Sequence, residues 1–102
     1  EGTLLDNTLL LFGSASSAFH LSRNYPLILA GGRNMGVAQG QYLNHAGGKA
    51  FRGGGKPGDP EPWTKKATNE DLPLSNLYVS MLQRLGVETE TFADSTGKLD
   101  GV

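Results

Sequence analysis

Apolar positions fall into two short unbroken runs and one spaced stripe. The first run, Thr8-Leu-Leu-Leu-Phe12, is of strand length and β-favouring, with no polar residue interleaved. That pattern predicts a strand buried on both faces, in the middle of an α/β sheet. The second run, Tyr25-Pro-Leu-Ile-Leu-Ala30, predicts another strand, with Pro26 pointing to the start or edge of a sheet. The loop between them, Ser14 to Asn24, is too short and polar for a crossover helix, so the strands should run antiparallel. The stripe is Leu74, Leu77, Tyr78, Met81, Leu82 and Leu85, at steps of three and four. It predicts a helix from Leu72 to Leu85, packed by that face onto the sheet. Asp71 is placed as its N-cap and Pro73 in its first turn. Arg84 lies in the last turn, and Gly86 suits the left-handed position just past the end.

Polar and flexible residues punctuate the rest. Asp6-Asn7 is turn chemistry ahead of the first strand, and Gly31-Gly32 ends the second. Arg33 to Gly40 reads as a turn-rich link, and Gln41-Tyr-Leu-Asn44 as a short strand. From Ala46 to Asn69 periodicity disappears among Gly47-Gly48, Gly53-Gly-Gly55, Pro57, Pro60 and Pro62. A loop of this length suits a site-covering or partner-contacting excursion better than a simple connection. Val87 to Phe92 suggests a short extended return before the turn-rich stretch Asp94 to Gly101.

Composition narrows the possibilities. With 102 residues there is room for one small domain. Apolar residues are 37% of the chain, low for a self-sufficient core. A buried strand needs neighbours that this length barely supplies. The chain also opens on Glu1 rather than methionine, and the expectation is a single segment of a larger domain. Net charge is -1, which gives no basic surface for nucleic acid. There is no cysteine, hence no disulfide framework or thiolate chemistry. No apolar run approaches the ~20 residues of a membrane helix.

Ligands of open α/β sheets sit beyond the carboxyl ends of strands, which directs attention to the loop after Phe12. His20 is the candidate metal ligand or base there, since imidazole titrates near neutrality and ligates divalent metals. With no Asp, Glu or Cys nearby in sequence, a structural histidine is the simpler reading. Ser14, Ser16 and Ser17 offer hydroxyls at the strand end. A nucleophilic serine needs an adjacent base and here has no Gly-x-Ser-x-Gly elbow, so turn chemistry is the default. Arg23 and Asn24 form a candidate anion site, set against a role in ordering the loop. Gly31 to Gly36 resembles a phosphate loop without a following helix. Gly53-Gly-Gly-Lys-Pro57 lacks the Ser or Thr that a P-loop requires. His45, Asp59 and Glu61 are an irregularly spaced cation set, and Trp63 is a candidate anchor for the excursion.

Four blocks in order carry a resemblance. They are Gly2 to Ser14, Arg23 to Gly32, Leu72 to Val87, and Phe92-Ala-Asp-Ser-Thr-Gly97. Together they resemble the C-terminal portion of the HXXSHH-motif family, exported bacterial proteins of unknown function. That family is distantly similar to the alkaline phosphatase and sulfatase superfamily. The resemblance implies a mixed α/β sheet covered by helices in a protein about four times this length. It also implies export, hence a periplasmic or other extracytoplasmic location, and a divalent metal in full-length relatives that hydrolyse phosphate or sulfate esters. The implied partner is the preceding part of the same polypeptide or a larger assembly. The His-x-x-Ser-His-His motif is not among these residues, and Ala15-Ser-Ser-Ala18 carries no acid. The alternative is therefore a non-catalytic structural or accessory subunit of an extracytoplasmic assembly.

Overall fold

The computed structural model describes residues 1–17, 22–45 and 69–102. Among them are a two-stranded antiparallel sheet, one α-helix and two single-turn 3-10 helices. Strand β1 is Leu9–Gly13 and β2 is Leu27–Gly31, each set one or two residues later than its apolar run begins. They pair antiparallel, as the short polar loop required, with Leu11 opposite Leu29 at the centre.

The faces of this sheet differ from expectation. Leu9, Leu11, Leu27 and Leu29 are half-buried on one face. On the other, Leu10 is 52%, Phe12 69% and Ile28 62% exposed. An apolar residue at every position suits a strand covered on both sides, yet the described residues cover only one. A two-stranded sheet of this kind is marginal by itself.

Two 3-10 turns brace one end of the pair. Leu5–Asn7 leads into β1 and Arg33–Met35 leads out of β2. Thr3 and Asp6 bond each other reciprocally across the start of the first turn. Thr3 N–H donates to Asp6 Oδ2 at 2.8 Å, and Asp6 N–H donates to Thr3 Oγ1 at 3.3 Å. Asn34 Nδ2 ties the second turn to the first through Asn7 Oδ1 at 3.0 Å and the Glu1 carbonyl at 2.6 Å. The chain can cross this junction only at glycine. A Cβ on Gly31 would lie 2.1 Å from the Thr8 carbonyl oxygen, and its φ of +82° is left-handed.

Helix α1 is Ser75–Arg84, shorter than the predicted span. Asp71 is not its N-cap: its carbonyl instead accepts a hydrogen bond from Thr96 Oγ1 at 2.8 Å. Pro73 lies just ahead of the helix and its carbonyl receives Asn76 N–H at 3.0 Å. The C-terminus follows expectation. Gly86 has φ +85°, and Val87 N–H reaches back to the Leu82 carbonyl at 3.0 Å while Gly86 N–H reaches Gln83 at 3.1 Å. This is the Schellman arrangement.

The helix is buried mainly beside its predicted stripe, of which only Leu77 is buried. Leu77, at the border of that stripe, is buried as expected. Ser75, Asn76, Val79 and Ser80 are buried too, with Val79 fully enclosed, while Leu74, Tyr78, Met81 and Leu82 are only half-buried and Leu85 is 54% exposed. At 3.6 residues per turn these sets, Leu77 apart, lie on opposite sides of α1. The helix stands largely apart from the strands rather than lying on them. Neither Gln41 to Asn44 nor Val87 to Phe92 forms a strand. The excursion lies outside the described residues except for Asn69, whose Nδ2 donates to the His45 carbonyl at 2.6 Å and joins its two flanks.

Candidate functional site

The carboxyl end of β1 opens onto a cleft of about 810 Å³. Its apolar wall includes Leu11, Leu27 and Leu29 of the sheet, Leu77 of the helix and Leu99. Ser14, Asn24, Tyr25, Gln41, Tyr42 and His45 bring polar groups to it. The lining is mainly apolar with a few polar groups.

The elements place these residues for local reasons. Gly13 closes β1 where a side chain would strike the backbone of the returning chain: a Cβ there would lie 2.4 Å from the Pro26 carbonyl oxygen. Ser14 N–H donates to that same oxygen at 3.2 Å, which continues the ladder one residue past β1. Ser14 Oγ accepts Ser16 N–H at 3.2 Å, the turn chemistry expected of this loop. Asn24 adopts φ +53° before Tyr25 and Pro26 start the second run. Asparagine tolerates that region better than most residues.

The sequence candidates divide as follows. Ser14 and Asn24 reach the cleft together. Ser16 and Ser17 are half-buried, and Ser17 is engaged by other parts of the chain. Arg23 is half-buried and likewise engaged. His20, Asp59, Glu61 and Trp63 lie outside the described residues. His45 is exposed at the cleft. Among the described residues no three His, Asp or Glu side chains gather as a metal site, and no helix is long and apolar enough to cross a membrane.

Sequence reasoning missed the densest polar cluster among the described residues. The small polar face of α1 holds the stretch from Asp94 to Val102. Ser75 Oγ donates to Asp94 Oδ1 at 2.7 Å. Asn76 bonds Thr96 through both ends of its carboxamide, at 2.9 and 3.0 Å. Ser80 Oγ receives Leu99 N–H at 2.9 Å and donates to the Leu99 carbonyl at 2.8 Å. Arg84 Nη2 donates to the Val102 carbonyl at 2.7 Å. Asn76, Ser80 and Arg84 recur every four residues and so form one row along the helix. The signal is that spacing, with a stronger apolar stripe on the other side of the helix. Every partner within the row is internal, so its chemistry is structural: it fixes Leu99 at the edge of the cleft.

The chain matches no family model, no curated protein and no solved structure.

Proposed function

We propose that residues 1–102 are a scaffold segment of an exported, alkaline-phosphatase-like α/β protein of the HXXSHH kind. In this reading the segment's sheet and helix support the site end of a metal-dependent hydrolase of phosphate or sulfate esters. The observation that carries the proposal is the pair of uncovered apolar surfaces. Leu10, Phe12 and Ile28 stand out from one face of the sheet. Tyr78, Met81, Leu82 and Leu85 form an incompletely covered stripe on the helix. Side chains of this size on two separate elements suit a body in which further layers pack against both. The cleft beyond β1 is where such a fold would receive its ester, and a divalent metal there would polarise the ester and activate a nucleophile.

A second reading, a non-catalytic subunit, is favoured by one observation. The described part of the loop after β1 turns its serine chemistry inward, with Ser14 Oγ accepting from Ser16 N–H. Metal analysis of the native polypeptide separates the two. The hydrolase reading expects a stoichiometric divalent metal that is lost in His20→Ala, together with metal-dependent cleavage of an aryl phosphate or sulfate. A protein without bound metal, unchanged by that substitution, overturns it in favour of the accessory subunit.

A further inference from the structure

We infer that the free edge of β1 is a self-pairing surface, on which a second copy of this chain adds its own β1 antiparallel about Leu11. The inference goes beyond the proposed function and is independent of any hydrolase chemistry. It starts from the phase of the ladder. Ser14 N–H bonds the Pro26 carbonyl, and the register sets Leu11 against Leu29. In an antiparallel pair, hydrogen-bonded and non-bonded positions alternate. Phe12 and Leu10 therefore turn their backbone groups toward β2. Leu9, Leu11 and Gly13 turn theirs outward, and among the described residues nothing receives them.

The two edges of the sheet are not equivalent. On β2 the outward carbonyl of Gly31 is taken by Gln39 Nε2 at 2.7 Å, and residues 38–45 return past Leu27 and Leu29 along the cleft. Among the described residues the β1 edge carries no such cap. It also lacks the devices by which sheets discourage edge pairing: no proline, bulge, lysine or inward charge occurs in Leu9–Gly13. No ionisable side chain occurs between Asp6 and His20, so two copies meet there without like-charge repulsion.

The strand is also complementary to itself. Antiparallel pairing about Leu11 sets the outward groups of Leu11 against Leu11 of the second copy, and those of Leu9 against Gly13. On the exposed face the same register places Leu10 beside Phe12 of the second copy, at the closer, non-hydrogen-bonded spacing. The two most exposed leucine and phenylalanine side chains of β1 thus gain lateral cover in a two-fold, isologous contact. The contact is small, so the dimer belongs to the weak, low-area class and forms with rising concentration.

Sedimentation equilibrium of the native polypeptide from micromolar to millimolar concentration tests the inference, with far-UV circular dichroism to compare the variants. The expected result is a reversible monomer–dimer equilibrium. Leu10→Lys with Phe12→Lys places lysines opposite each other and returns the chain to monomer. Leu10→Lys with Phe12→Glu places lysine opposite glutamate in both symmetry-related pairs, and restores association by about tenfold or more over the double lysine. Both variants remove the same apolar contacts to β2, so a general loss of folding affects them alike. A wild-type chain that stays monomeric throughout, or two variants that associate equally, overturns the inference.

Discussion

Asn76 grips Thr96 at two points: its Oδ1 accepts the Thr96 N–H at 2.9 Å, and its Nδ2 donates to Thr96 Oγ1 at 3.0 Å. Asn76 is only 3% exposed, so this carboxamide is bonded almost entirely within the protein. The grip joins the first turn of α1 to a stretch twenty residues later. It explains why a polar side of the helix is buried while an apolar stripe is left partly open.

Asn76→Ala removes both bonds and strands a backbone donor. The expected loss of stability is about 2 kcal/mol, read by urea denaturation. Amide exchange should show Thr96 released first. Ser80→Ala frees the Leu99 carbonyl but leaves Leu99 N–H on the Asn76 carbonyl at 3.0 Å, and is expected to cost about 1 kcal/mol. The two losses should not add, because both substitutions release the same stretch. Strict additivity would show that Thr96 and Leu99 are held independently.

Gly31→Ala and Gly86→Ala share a left-handed φ and differ in space. At Gly86 nothing lies within 4 Å of a new Cβ, so only the backbone penalty of about 1 kcal/mol applies. At Gly31 the new atom meets the Thr8 carbonyl oxygen at 2.1 Å and the Leu5 carbonyl oxygen at 2.6 Å. A total cost of about 3 kcal/mol or more follows. Thermal unfolding of both variants checks the order, and equal losses would show that the junction of the two 3-10 turns yields freely.

Asp6 titrates below the ordinary carboxylate value because the Thr3 backbone N–H and then the Thr3 hydroxyl bond its charged form, with Arg33 assisting at 3.6 Å. A carboxyl depressed in the folded state contributes stability above its unfolded pKa, about 3.9. That contribution is lost as pH falls through the lower folded value. Thr3→Ala removes the hydroxyl bond and leaves the backbone one, so the Asp6 pKa should rise only part of the way back. Carboxyl-resolved NMR titration reads this directly, and an Asp6 value unchanged in Thr3→Ala would assign the shift to the backbone and Arg33 alone.

The sequence by itself determined what depends on neighbours along the chain. The strands follow from local apolar runs, and their antiparallel relation from a loop too short to cross over. The Schellman end follows from Gly86, the residue that occupies a left-handed position at least cost. The turn chemistry of Ser14 is equally local. Only the tertiary structure decided which faces are covered. An all-apolar run such as Leu9 to Phe12 does not say whether one layer or two lie against it. The side of α1 that is buried depended on the arrival of Thr96 and Leu99, since a serine or asparagine is buried only where a partner satisfies its hydrogen bonds. The cleft shared by Ser14, Asn24 and His45 likewise joins residues far apart in sequence. Periodicity records the preference of each side chain for water, whereas long-range hydrogen bonds decide which of those preferences prevail.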